Sequence, residues 1–132
     1  MLWFCVGVSS SSSSSSAPYF TVEPRSAVVR PGDSVSVYCS ASTTASPLPP
    51  AHHRDDVTIT WTHNGAILSS QSWSSSVSGG SSRVYIRSFH ASNEGLYQCI
   101  ANNSVGAVIS RPAALHLARQ YTSNYFHFVY IT

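Results

Sequence analysis

Two histidines and two aspartates lie close together in this chain, and such residues can bind a metal ion. His52-His53 is followed by Asp55-Asp56, and imidazole is the commonest metal ligand in proteins. Adjacent histidines rarely point toward one ion, however, and the run of prolines just before them indicates a loop. We therefore expect a solvated loop and predict no metal site.

Serine is abundant enough to raise the question of a nucleophile. An activated serine needs a base and an orienting group in a recognisable arrangement, and no serine here follows a nucleophile-elbow pattern. Gly79-Gly80 is better explained as a turn before a strand than as part of a phosphate-binding loop. The sequence predicts no catalytic residues, no cofactor and no enzyme activity.

One motif predicts a covalent modification. Asn102-Asn103-Ser104 is the only Asn-X-Ser/Thr sequon in the chain, and it makes Asn102 the acceptor for an N-linked glycan if the protein is secreted. Counting alternate positions from Cys99 places Asn102 on the outward side of its strand, in the turn where a bulky sugar fits. We predict glycosylation at Asn102.

The most informative pattern of the chain consists of Cys39, Trp61 and Cys99, with Tyr97 two positions before Cys99. Their order and spacing resemble an immunoglobulin-type β-sandwich. The resemblance implies a disulfide between Cys39 and Cys99 that joins two facing sheets, with Trp61 packed against it in the core. It also implies that the Tyr97 hydroxyl bonds to the backbone at the corner leading into its strand.

Alternating apolar and polar residues predict the strands that position this unit. Every second residue is expected to face the core in the runs 35–41, 57–61, 97–101 and 113–117. Residues 19–22 and 27–29 are expected to form one continuing edge, and Val84, Ile86 and Phe89 a further strand. Asn64-Gly65 predicts a hairpin turn. About seven such strands indicate an all-β, two-sheet antiparallel sandwich. The span 19–118 as a whole resembles immunoglobulin domains of the I-set type.

The flanking segments have a different composition from this predicted domain at 18–118. Residues 1–17 combine an apolar start, compatible with a signal peptide, with a serine tract that is expected to be disordered. An incomplete or artefactual N-terminus is the alternative. Residues 119–132 are aromatic and too short to span a bilayer. A truncated or mispredicted C-terminus is favoured there over an extra edge strand.

Charge and cysteine content restrict the partners and the compartment. Charged residues are 9% of the chain and the formal net charge is +2. The seven basic residues are all arginines, at Arg25, Arg30, Arg54, Arg83, Arg87, Arg111 and Arg119. A nucleic-acid surface needs a basic stripe, so we predict no nucleic-acid partner and leave open a weak heparin-like contact. A structural disulfide indicates an oxidising compartment, and removal of a signal peptide would also remove Cys5.

A narrower resemblance involves residues 19–118, which are similar to the N-terminal immunoglobulin domain of the DCC, neogenin and protogenin group of cell-surface receptors. The segments that carry it are 19–20, 22–24, 39–41, 59–61, 64–65, 94–99 and 106–111. Two departures are Asn93, where such domains often have an ion-paired aspartate, and a longer loop at 42–56. The receptors of this group have further domains and a membrane span, so the resemblance implies that the chain is a fragment of a single-pass membrane protein.

Two functions follow from these observations. The first is an extracellular recognition domain of a cell-adhesion or axon-guidance type receptor that binds a protein ligand or its own kind, with Trp73 either an exposed anchor or a cover for the core. The alternative is a structural spacer module of an intracellular array. The sequon and the apolar N-terminus favour the first function.

Overall fold

The fold is built from twelve strands and one short 3-10 helix within the residues described by this computed structural model, which are 16–44, 57–69, 74–78, 80–122 and 128–131. The strands are β1 Tyr19–Val22, β2 Ala27–Val29, β3 Val35–Ser42, β4 Thr58–His63, β5 Ala66–Ile67, β6 Ser74–Ser78, β7 Ser81–Ile86, β8 Gly95–Asn102, β9 Ala107–Ile109, β10 Ala113–Leu117, β11 Arg119–Thr122 and β12 Phe128–Ile131. The helix, Ala91–Asn93, lies between β7 and β8.

Two sheets enclose the core. The first has the order β1-β3-β7-β6, and the second has the order β2-β10-β8-β4-β5 with β9 also paired to β8. The disulfide between Cys39 on β3 and Cys99 on β8 joins the sheets. The predicted all-β, two-sheet immunoglobulin-like sandwich with one inter-sheet disulfide is therefore confirmed.

The period-two patterns place the core residues as the sequence predicts. On β3 the buried residues are Val37, Cys39 and Ala41, and on β8 they are Tyr97, Cys99 and Ala101. The intervening residues on both strands are partly or fully exposed. Because successive side chains of a strand point to opposite faces, each of these strands buries one side against the facing sheet.

The first edge of the sandwich differs from the prediction. β1 pairs with β3 in the first sheet, whereas β2 pairs in parallel with β10 in the second sheet. The chain therefore changes sheets between residues 22 and 27 instead of continuing one edge. Pro24 lies in this crossing and is buried. Because proline has no N–H to donate to a ladder, it favours this break in strand pairing.

Two further differences concern the middle of the chain. The serine-rich segment contains a strand, β6, which pairs with β7 from Ser74↔Tyr85 to Ser78↔Ser81. Phe89 was predicted to belong to the strand with Val84 and Ile86, but β7 ends at Ile86. Phe89 is nevertheless fully buried, and its backbone N–H donates to the Asp33 carbonyl oxygen. Backbone bonds in a turn hold this residue in the core without a strand.

The predicted hairpin turn is confirmed. Asn64 and Gly65 both have positive φ, 51° and 83°, which is the backbone conformation of a two-residue type I′ turn. The turn connects β4 to β5, with Thr62 opposite Ile67.

The C-terminal segment forms a sheet of its own. β11 pairs with β12 from Arg119↔Ile131 to Thr122↔Phe128, and in the described part of the chain neither strand joins the sandwich. None of the helices among the described residues has the length and apolarity to cross a membrane.

Candidate functional site

The structural centre of the domain is the unit formed by the disulfide and Trp61. The Cα atoms of Cys39 and Cys99 are 6.5 Å apart, and both residues are fully buried. Trp61 on β4 lies opposite Cys99 on β8 and is also buried. Its indole Nε1 donates to the Ser82 hydroxyl oxygen at 2.8 Å. This hydrogen bond satisfies the polar atom of the largest core side chain, since a buried N–H without a partner is costly.

Sequence reasoning overlooked the role of Ser82, although a signal for it is present. Ser82 precedes Val84 and Ile86 at alternate positions, and all three are buried. A serine in an inward-facing position of a strand needs a hydrogen-bonding partner in the core. The tryptophan on the facing sheet supplies that partner.

Tyr97 forms the corner that the immunoglobulin pattern implies. Its hydroxyl donates to the Asn93 carbonyl oxygen at 2.7 Å, and its ring stacks on His63 with centroids 4.4 Å apart. Burial raises the pKa of Tyr97 to about 12. A phenol that stays protonated and donates to backbone has a structural role, and the geometry gives it no catalytic one.

The loop before β8 shows how the chain accommodates Asn93 in place of aspartate. The side-chain oxygen of Asn93 accepts a hydrogen bond from the backbone N–H of His90 at 2.8 Å. The neighbouring Glu94 accepts one from the Leu117 backbone N–H at 2.6 Å. Two backbone N–H groups therefore hold this corner, one bound by the neutral Asn93 amide and one by the Glu94 carboxylate.

The sequon lies at the upper end of the second sheet. Asn102 is the last residue of β8 and its side chain is exposed. The Asn103 side chain is hydrogen-bonded within the turn that follows β8. Its side-chain oxygen accepts from the backbone N–H groups of Val105 and Gly106 at 3.0 and 3.2 Å. Its amide nitrogen donates to the Ser16 carbonyl oxygen at 2.8 Å. The acceptor asparagine is thus the outward member of the pair.

The exposed side of the first sheet offers tyrosine and arginine. Tyr38 lies opposite Arg83, and Tyr85 is two positions further along β7. All three are exposed. Hydrogen bonds to the Ser81 and Ser40 hydroxyls, with the charge of Arg83, lower the pKa of Tyr38. Tyrosine and arginine are enriched at binding hot spots, so this face has the composition of a protein contact.

The described arginines form no basic stripe. Arg83 and Arg87 belong to one stretch of chain, and no strand register in the described residues sets two arginines opposite each other. Arg111 contacts Glu23, with Nε and Oε2 3.6 Å apart. Six of the seven arginines are described; Arg54 is not. None of these contacts tests the weak heparin-like contact that the sequence leaves open.

Several residues that the sequence singled out lie outside the described part of the chain. These are Cys5, the pairs at 52–53 and 55–56, and Trp73. Among the described residues, no group of three or more histidine, cysteine, aspartate or glutamate side chains could hold a metal ion.

The comparison with known proteins agrees with this architecture. A family model described as an immunoglobulin domain matches residues 17–103. The mouse (Mus musculus) protein named cell adhesion molecule-related/down-regulated by oncogenes is 41% identical over 118 residues, covering 89% of this chain and 8% of the relative. Mouse protogenin is 36% identical over 103 residues, covering 76% of this chain and 8% of the relative. The chain therefore spans less than a tenth of the length of these relatives.

Solved structures show the same fold at low identity. An I-band fragment of titin has a TM-score of 0.64 and 19% identity, covering 78% of this chain and 33% of that one. The insect immune protein hemolin has a TM-score of 0.59 and 18% identity, covering 82% of this chain and 25% of that one. The predicted resemblance to the receptor group that includes protogenin is confirmed by the relatives, and the chain belongs to the immunoglobulin domain family.

Proposed function

We propose that this chain is an extracellular recognition domain of a receptor of the cell-adhesion or axon-guidance type, and that it acts by binding a protein. The observation that carries the proposal is its similarity to an adhesion molecule-related protein over 89% of the chain. The buried disulfide supports it, because structural disulfides persist in oxidising compartments.

The mechanism is the presentation of a rigid surface. The disulfide and the Trp61 hydrogen bond hold the two sheets in register, and side chains on the outer faces are then fixed for contact. Affinity in such interfaces comes from a few aromatic or arginine anchors surrounded by weaker contacts. Tyr38 and Arg83 provide anchors of this kind on the first sheet. No proton transfer, metal or cofactor takes part in this mechanism.

Glycosylation of Asn102 belongs to the same proposal. The residue is the last of β8 and its side chain is exposed, so it is accessible to modification. Modification there requires passage through the secretory pathway, so a glycan would also report the compartment.

Expression of the chain in a secreting eukaryotic cell tests the proposal. We expect the secreted protein to have lost residues near the N-terminus, to gain the mass of two hydrogens on reduction, and to lose mass when treated with a glycosidase. Asn102→Gln should remove the glycan. Asn103→Gln is the matched control, because it preserves the sequon while removing the side chain that holds the turn.

The opposite result would favour the spacer function. A chain that stays inside the cell with Met1, free thiols and no glycan would contradict an extracellular role.

A further inference from the structure

Two tyrosines and an arginine lie close together on the outer side of the first sheet. Tyr38 on β3 is directly opposite Arg83 on β7, and Tyr85 is two positions further along β7 on the same side. The three Cα atoms lie within roughly 8 Å of one another, given strands about 4.8 Å apart and a rise of about 3.4 Å per residue. Tyr38 is 40% exposed, Tyr85 is 41% exposed and Arg83 is also exposed. We call these three residues the tyrosine–arginine face.

The charge of Arg83 has no counterpart within its sheet. Arg83 is the only charged residue in the four described strands of that sheet, β1, β3, β6 and β7. Its neighbours in register are Tyr38 on β3 and Ser76 on β6. Opposite charges on neighbouring strands stabilise a sheet, and these strands contain no such pair. Arg87, just beyond the end of β7, adds a second positive charge.

The described carboxylates lie elsewhere. Glu23 is paired with Arg111, and Glu94 accepts a hydrogen bond from a backbone N–H of β10 in the second sheet. Asp33 is exposed in the turn before β3, five positions before Tyr38, which corresponds to roughly 17 Å at the rise of an extended chain. That separation is beyond the screening length of about 8 Å at physiological ionic strength. Among the described residues, the tyrosine–arginine face therefore has no acidic group of its own.

The chemistry of the face selects for an acceptor with negative charge. A guanidinium has five N–H donors and no acceptor, and each tyrosine adds an O–H donor. A carboxylate is complementary because it only accepts hydrogen bonds and can bind arginine through two parallel N–H···O bonds. Sulfated polysaccharides are bound by clusters of basic residues, whereas these four strands contain one arginine. Tyrosine and serine around a single arginine are typical of surfaces that bind proteins.

A protein that covers the two tyrosines also covers Arg83, which lies next to both. A neutral partner would leave the guanidinium buried without a counter-charge, which is costly. A partner that presents lysine or arginine at this point would be repelled. We propose that the tyrosine–arginine face binds an acidic side chain of a protein partner, with its carboxylate on Arg83 and its neighbouring residues packed on Tyr38 and Tyr85. This inference rests on the proposed recognition function and names the chemistry of the partner.

Peptide selection on the secreted, oxidised chain tests the inference. The probe is a library of random peptides displayed on phage. We expect the peptides recovered on the natural chain to be enriched in aspartate and glutamate relative to the unselected library, and those recovered on Arg83→Ala not to be. Calorimetric titration then compares one recovered acidic peptide with its counterpart in which the acidic residues are replaced by amides. The acidic peptide should bind at least tenfold more tightly.

Variants of the face identify the residue that holds the carboxylate. Arg83→Ala should weaken binding of the acidic peptide at least tenfold. Arg83→Lys should recover only part of the affinity, because lysine keeps the charge but cannot form two parallel bonds. Arg111→Ala is the matched control, since it removes one positive charge from a side chain that is 87% exposed between two strands of the second sheet. It should leave the Kd unchanged, and circular dichroism melting checks that all variants fold.

A charge reversal gives an independent test. Arg83→Glu should no longer bind the acidic peptide, and it should bind the version of that peptide in which lysine replaces the acidic residues. Asn102→Gln should leave both affinities unchanged, because Asn102 belongs to the other sheet.

Two results would overturn the inference. One is a set of recovered peptides without enrichment in acidic residues; the other is binding that Arg83→Ala and Arg111→Ala weaken equally. Heparin binding that depends on Arg83, with no acidic peptide recovered, would overturn it in favour of a sulfated polysaccharide. A secreted, glycosylated chain that recovers no acidic peptide would leave the recognition function standing with a different contact. A chain that is not secreted would contradict the recognition function, while selection on refolded protein would still decide the chemistry of the face.

Discussion

Tyr97 shows how one side chain connects the sheet to the loop below it. The ring is fully buried and stacked on His63, while its hydroxyl reaches the backbone at Asn93. The ring thus contributes apolar packing, and the hydroxyl contributes a hydrogen bond to the segment before β8. The effects of these two contributions on the free energy of unfolding can be measured separately.

Replacement of Tyr97 by phenylalanine should lower the free energy of unfolding by about 1 kcal/mol at neutral pH, because one hydrogen bond is lost and packing is retained. Urea unfolding followed by tryptophan fluorescence measures this change. Tyr85→Phe serves as the control, since Tyr85 is 41% exposed, and its effect should be close to zero. An equal loss in both variants would mean that the corner bond contributes nothing specific.

The same side chain predicts an alkaline limit to stability. Its pKa is raised to about 12 by burial, above the usual value of about 10 in an unfolded chain. Folding therefore favours the protonated hydroxyl, and this contribution is fully present below about pH 10 and is lost as the pH rises toward 12. Short incubations at pH 9 to 12 should show a steeper fall of unfolding free energy in the natural chain than in Tyr97→Phe. Parallel curves would contradict the prediction.

Strands can be predicted from sequence where one face is apolar, and less well where it is not. β3 and β8 alternate cleanly, so their core residues are evident from the sequence. β6 has the sequence Ser-Ser-Ser-Val-Ser and gives no alternation, yet it pairs with β7 over its whole length. Backbone hydrogen bonds to an existing neighbour determine such a strand. The change of sheet between β1 and β2 cannot be predicted from the local sequence either. It depends on the pairing of β2 with β10, which lies far along the chain.

The hairpin turn and the start of β8 are locked together by a second contact that sequence does not reveal. The backbone N–H of Asn64 donates to the Leu96 carbonyl oxygen at 2.8 Å, and the Asn64 side-chain oxygen accepts from the Leu96 N–H at 2.9 Å. Gly95 lies beside this side chain with φ of 138°. A Cβ atom added to Gly95 would collide with the Asn64 amide.

Replacement of Gly95 by alanine should therefore destabilise the domain by about 2–4 kcal/mol, from backbone strain of about 1–3 kcal/mol and the displaced Asn64 hydrogen bond. Thermal unfolding measures the loss. The matched control is Gly32→Ala, where φ is 82° and nothing lies within 4 Å of the added atom. It should cost only about 1–2 kcal/mol, the penalty of a left-handed backbone alone. Equal effects would show that the Asn64 contact is unimportant.

At the scale of the whole molecule, the two sheets depend on one covalent bond. The sandwich is small, and serine makes up much of its polar surface. Serine on the surface adds no buried apolar area to stabilise the fold. Among the described residues, the two sheets also contact each other through the apolar core and through the Trp61–Ser82 hydrogen bond. A domain of this size with one core has limited stability to spare, so constraints on the unfolded chain are important.

Cys39 and Cys99 are 60 positions apart, and closing a loop of that length stabilises a fold by about 4 kcal/mol in the chain-entropy treatment. Reduction should therefore lower the urea midpoint markedly, and the Cys39→Ala, Cys99→Val double variant should reproduce the loss without a reductant. The double variant retains Cys5 alone and cannot form an intramolecular disulfide, so its midpoint should be the same with and without the reductant. A reduced chain as stable as the oxidised one would show that the core alone holds the sheets, and the disulfide would then lose its value as an indicator of the compartment.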